Sequence, residues 1–212
     1  LSAGTYSVTV TDLNGCETSQ TVLITEADVF VDAGNGATVS TYFGGFNVSC
    51  YGSNDGEITI QAVGGVGPYT YFNGANQNSP STSGFFDTLS QGTYNLSVVD
   101  ANLCVVDWNN IILTEPILLS SDISDSSNYN GFGVHCNGDN EGYINLTVNN
   151  GVPSYSYLWS NGDTTENIST LLVGTYSVTV TDLNQCITSE TVVITEPTSF
   201  VDAGGGATSL TY

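Results

Sequence analysis

Gly-Thr-Tyr occurs three times in the chain, at Gly4-Thr5-Tyr6, Gly92-Thr93-Tyr94 and Gly174-Thr175-Tyr176, in steps of 88 and 82 residues. A cysteine follows twelve residues after each glycine, at Cys16, Cys104 and Cys186, and a Thr-Glu pair closes each unit at Glu26, Glu115 and Glu196. A second marker comes earlier in the unit. Cys50 is followed by Gly52, Asp55, Gly56 and Glu57, and Cys136, 86 residues on, by Gly138, Asp139, Glu141 and Gly142. A fixed period marks a chain built from one unit used repeatedly. Here the unit is about 85 residues, the size of one small domain. The expected divisions are the C-terminal part of a repeat at 1–27, complete repeats at 28–116 and 117–197, and the start of another at 198–212. A longer period overlies this one: residues 1–42 match residues 171–212 at 30 of 42 positions. Two kinds of repeat therefore alternate every 170 residues. The chain starts in mid-pattern, so a secretion signal is expected upstream of it.

Within each unit the apolar residues alternate with polar ones. Ile58, Ile60 and Ala62 are interleaved with Glu57, Thr59 and Gln61; Ile144, Leu146 and Val148 with Asn145 and Thr147; Tyr176, Val178 and Val180 with Ser177 and Thr179. Period two gives a strand with one buried and one wet face. Asp12-Leu13-Asn14-Gly15 reads as a hairpin turn, Asp opening it and Gly supplying positive φ. The expected fold is all-β: tandem immunoglobulin-like antiparallel β-sandwich repeats.

The charge is one-sided, with 21 acidic residues, no Lys or Arg and a single His. Binding to nucleic acid is excluded, because phosphates are held by cations. Anionic membrane surfaces repel such a chain, and no run reaches the roughly 18 apolar residues of a membrane span. The acidity has two readings, a solubility device or ordered cation sites. For the second, calcium is the expected ion. Its candidate ligands are Asp55, Glu57, Asp139 and Glu141 in the turns, with Glu115 and Glu196 at the closing Thr-Glu pairs.

Five cysteines are explained by the repeat. The expected pairs are Cys50–Cys104 and Cys136–Cys186, with the partner of Cys16 upstream. Disulfides place the chain in an oxidising, extracytoplasmic compartment.

The string Cys136-Asn137-Gly138-Asp139-Asn140-Glu141-Gly142, then Gly151 to Gly162 with Tyr155-Ser156-Tyr157-Leu158-Trp159-Ser160, then Gly174 to Asp182 and Cys186, resembles the SprB repeat. The unit at 28–116 departs from it, with Tyr69-Thr70-Tyr71-Phe72-Asn73-Gly74 in place of the Trp-Ser segment and Leu103 where the turn would carry Gly. The resemblance implies a very long protein exported by type IX secretion and displayed on the cell surface as an adhesive filament of gliding bacteria. Its implied partners are neighbouring repeats of the same chain, the gliding machinery and surface polysaccharide. It also implies O-glycosylation at Asp-Ser/Thr triplets, here Thr88 and Thr164.

No catalytic site is expected. His135 has no counterpart in the other repeat, where Ser49 stands, and the paired carboxylates sit in turns that recur in both repeats. Three roles remain open: a structural stalk, repeats that themselves bind carbohydrate through Trp159 or exposed Tyr, and a viral or phage decoration module.

Overall fold

The computed structural model describes residues 1–74 and 80–199. The expected further repeat at 198–212 lies outside the described residues from 200 onward. The chain divides into two compact units, Leu1–Ser40 with Asp55–Leu113, and Thr41–Asn54 with Thr114–Tyr212. The segment Thr41–Asn54, which the repeat phase groups with 28–116, is thus part of the second unit.

In the first unit the strands are β1 (Gly4–Thr11), β2 (Glu17–Ile24), β3 (Val31–Asp32), β4 (Thr38–Val39), β5 (Gly56–Thr59), β6 (Ala62–Val63), β7 (Thr70–Asn73), β8 (Phe85–Leu89), β9 (Gly92–Val99) and β10 (Val105–Leu113). They form antiparallel sheets of order β4-β5-β8 and β10-β9-β7, with the small pair β3-β6 and the hairpin β1-β2. Ile58, Ile60, Tyr71, Leu89, Leu96, Val98, Trp108 and Leu113 make one core. That core draws on both three-stranded sheets, so they pack face to face as a sandwich. Trp108, on β10, supplies the large aromatic that this repeat lacks at the Trp-Ser position.

In the second unit β11 (Ser120–Ser126), β12 (Gly142–Asn149) and β14 (Ile168–Leu171) form one sheet, and β13 (Ser156–Trp159), β15 (Gly174–Thr181) and β16 (Ile187–Ile194) the other. Strand for strand this is the first sandwich again, with β12 for β5, β14 for β8, and β13-β15-β16 for β7-β9-β10. Its core is Val134, Ile144, Leu146, Trp159, Ile168, Leu171, Val178, Val180 and Ile194. The alternation in the sequence therefore sets which faces are buried.

The recurring motifs have local jobs. In each Gly-Thr-Tyr the tyrosine hydroxyl donates to a carbonyl four residues upstream: Tyr6 to Ser2 at 2.8 Å, Tyr94 to Ser90 at 2.8 Å, and Tyr176 to Leu172 at 3.1 Å. This ties the loop before β1, β9 and β15 to the strand itself. The hairpin β1-β2 repeats the sequence of β15 but not its surroundings. Val8 and Val10 are 64% and 60% exposed, whereas Val178 and Val180 are 1% and 0% exposed. The same apolar face is covered by a sandwich in one copy and bare in the other.

Candidate functional site

Two kinds of cysteine-bearing loop lie at opposite ends of the sandwich. The first is a loop before β5 and β12. The N–H groups of Asn47 and Val48 both donate to the carbonyl of Thr114, at 2.9 and 3.1 Å, and those of Gly133 and Val134 both donate to Thr195, at 2.8 and 3.2 Å. Next to each, a glycine N–H meets the following glutamate. Gly52 donates to Glu115 at 2.6 Å and Gly138 to Glu196 at 2.9 Å. Both glycines have positive φ, 75° and 87°, which the backbone needs to aim that N–H at the carboxylate and which a side chain would strain. The Thr-Glu pair visible in the sequence is thus a clasp. It holds Cys50 in one loop and Cys136 in the other in the same frame.

The second kind is a turn between β1 and β2, β9 and β10, or β15 and β16. In each turn one Asp oxygen accepts the N–H groups two and four residues on. Asp12 takes Asn14 and Cys16, Asp100 takes Asn102 and Cys104, and Asp182 takes Asn184 and Cys186, all at 2.8–2.9 Å. The other oxygen of Asp100 accepts from Val66 at 2.9 Å, and that of Asp182 from Val152 at 2.8 Å. Burial pushes the Asp100 carboxyl up, but the three N–H groups outweigh it and hold the carboxyl below its ordinary value.

The disulfide joins the two kinds of loop within the second unit, Cys50 to Cys186, with Cα atoms 5.7 Å apart. Asn184 seats the pair: its amide donates to the carbonyls of Ser49 at 3.0 Å and Phe43 at 3.2 Å, and its oxygen accepts from Phe43 N–H at 3.1 Å. The expected pairs Cys50–Cys104 and Cys136–Cys186 are not formed. Cys16, Cys104 and Cys136 are free and exposed. The reason lies in the strand register. Gly142, just after the Cys136 loop, faces Leu171, next to the start of β15, while Cys186 follows the far end of β15. Eight residues of strand separate the two ends, roughly 25 Å, against a limit of about 7 Å between bridged Cα atoms. In the first unit Gly56 faces Leu89 in the same way, and Cys104 follows the far end of β9. A repeat cannot bridge its own two cysteines.

The six expected calcium carboxylates are not gathered. Among the described residues, no three His, Cys, Asp or Glu side chains converge to hold an ion. Glu115 and Glu196 serve the clasps, and Asp139 accepts the Cys136 N–H at 3.0 Å. Glu141 accepts the His135 N–H at 2.8 Å and also pairs with the imidazole. Glu57 is exposed on β5, and Asp55 is half-buried just before that strand. The charge of Asp139 beside it pushes the Cys136 thiol up, helped by desolvation and Glu141. His135 is exposed, with the Tyr129 ring 3.7 Å from its own. Thr88, on β8, and Thr164, between β13 and β14, are both exposed. Trp159 is buried and donates its indole N–H to Thr165 at 2.8 Å; it is a core residue and offers no stacking face to a sugar. The clasps and the second bonds of Asp100 and Asp182 had no separate signal in the sequence. The recurrence of Thr-Glu at a fixed place in every unit was the one available pointer.

This architecture defines a tandem-repeat β-sandwich protein with a disulfide-linked loop. The SprB repeat family model matches residues 47–76 and 134–164, one segment in each repeat, each running from just before the clasped cysteine into the following strands. A search of curated protein sequences finds no match. Among solved structures, the C-terminal 282-residue fragment of intimin, in complex with the intimin-binding domain of the translocated intimin receptor, is similar at 15% identity. The TM-score is 0.41, over 76% of this chain and 64% of that one, so the chain spans under two thirds of that fragment's length.

Proposed function

We propose that the chain is a stalk segment of a secreted cell-surface adhesive filament of the gliding-motility type, exported by type IX secretion. The observation that carries this is the use of one sandwich twice in tandem, with SprB-repeat matches in both copies. Repeats of this kind gain length by addition, since each contacts only its neighbours. No helix among the described residues is long and apolar enough to cross a membrane, and the disulfide fits an oxidising exterior. The negative charge keeps long neighbouring filaments apart. Surface polysaccharide and the gliding machinery are the proposed partners of the assembled filament, and Thr88 and Thr164 are the proposed glycan acceptors. The role is mechanical and adhesive, without catalysis.

Immunogold labelling of intact, unpermeabilised cells with antibody raised against the chain tests this. Gold along fibres outside the envelope is the expected result, and deletion of the gene is expected to stop cell spreading. Label only inside broken cells would overturn the surface assignment. Surface label with normal spreading would leave an adhesive filament that is not part of gliding.

A further inference from the structure

Each repeat carries a clasped-loop cysteine at one end and a turn cysteine at the other, and the observed bond joins a loop to the turn of the next repeat in sequence, 136 residues on. Cys136 stands in the same clasp as Cys50: its loop is held by Thr195 and Glu196 as the Cys50 loop is by Thr114 and Glu115. Its carbonyl accepts the Asp139 N–H at 3.2 Å, as that of Cys50 accepts the Ser53 N–H at 3.1 Å. Cys104 stands in the same Asp turn as Cys186, with Asn102 in the place of the seating residue Asn184. Both thiols are exposed. Continued past Tyr212, the 170-residue period would put a Cys104-type turn 138 residues beyond Cys136, against 136 for the observed pair, in which Cys186 stands at the Cys16 position one period on.

We propose that Cys136 forms a disulfide with the Cys104-type turn of the following 170-residue period, so that successive repeats are stapled loop to turn along the filament. With this rule each of the five cysteines has one partner and none is left over. Two thiols become one disulfide by exchange with an oxidised dithiol carrier or oxidised glutathione. The thiolate of one cysteine attacks the carrier disulfide and releases one carrier thiol. The second cysteine's thiolate then displaces the other carrier sulfur. Two protons and two electrons pass to the carrier, which leaves as two thiols. The matching turn is supplied either by the same chain one period on or by a neighbouring chain laid end to end.

The test uses the full chain extended by a second copy of residues 43–212 placed after Tyr212, with Cys104→Ser in the first copy and Cys136→Ser in the second. After refolding with reduced and oxidised glutathione and digestion at Glu and Asp, the expected product is the Cys136 peptide bonded to the second-copy Cys104 peptide. It is lost when that Cys104 is also changed to Ser. Found in monomers, it puts the partner in the same chain; found in disulfide-linked dimers, it puts the partner in a neighbouring one. The Cys50–Cys186 peptide in the same digest reports that the repeats have folded. Cys136 still open to iodoacetamide, or bonded to another cysteine, overturns the proposal. So does absence of the Cys50–Cys186 bond, which removes its template.

Discussion

Leu103 holds a left-handed backbone, φ 66°, at the place where Gly15 sits at 83° in the first turn and Gln185 at 70° in the third. A branched side chain there costs about 1–2 kcal/mol, and at 79% exposure Leu103 regains little by packing. Leu103→Gly is therefore expected to stabilise the first unit by about 1 kcal/mol, read as a higher denaturant midpoint with an unchanged slope. The neighbouring Asp100 sets a pH dependence. Its folded pKa lies below its unfolded one, so its stabilisation is present above the ordinary aspartate value of about 4 and is lost as pH falls through that value toward the folded one. Asp100→Asn is expected to lower stability at neutral pH, because an amide N–H₂ then faces backbone N–H donors. It is also expected to flatten the acid limb of the stability curve relative to the parent chain. Equal losses across the whole pH range would remove Asp100 from that limb. The turn itself was legible from Asp and Asn at fixed places, with Gly15 completing the pattern in the first copy. The second bond of Asp100, to Val66, was not, because it depends on where a distant loop returns.

At the scale of elements, the strands were legible because burial on a pleated sheet has period two and Ile58, Ile60, Ile144, Leu146, Val178 and Val180 keep that period. The disulfide was not. Pairing the two cysteines of one repeat follows from sequence order, but order carries no information about which end of a sandwich a loop occupies. Register does: Gly142 against Leu171 and Gly56 against Leu89 put the two loop types at opposite ends. The candidate calcium carboxylates are spread apart among the described residues for a related reason. Acidic residues at equivalent places in successive repeats are equivalent, not adjacent, and Glu115, Glu196, Asp139 and Glu141 are each engaged by a backbone N–H. Removing the bond with Cys50→Ser and Cys186→Ser together is expected to cost the second unit about 4–5 kcal/mol for a closed loop of this length, or less where strain intervenes. The first unit's own transition is expected to stay where it was. Calorimetry resolving two transitions checks this, and a shift of both would mean that the bond stabilises more than the unit that contains it.

The whole molecule is set by its repeat and its charge. A chain with no Lys or Arg offers trypsin no cleavage site whether folded or not. Reduced and denatured protein is expected to stay intact on an SDS gel after prolonged digestion, while a Glu-specific protease cuts it into fragments. Trypsin fragments would contradict the sequence itself. The same absence leaves a single His, His135, beside the carboxylates of this chain, and its imidazole meets Glu141. Stability therefore rests on the two cores, the backbone clasps and the disulfide, and added salt is expected to act mainly by screening repulsion.

The Cys50–Cys186 bond also decides what happens when such a strand is stretched. Tension entering before Cys50 crosses through sulfur to Cys186, so the chain between them, a sequence separation of 136, lies off the load path. At about 3.3–3.6 Å per extended residue, roughly 450–490 Å of contour is withheld from extension. A gentle reductant releases it. Single molecules pulled by their ends are expected to lengthen by that amount more in dithiothreitol than without it, and equal extensions would show that the bond carries no load. The chain therefore behaves as a tether whose reach is set by the redox state of its surroundings.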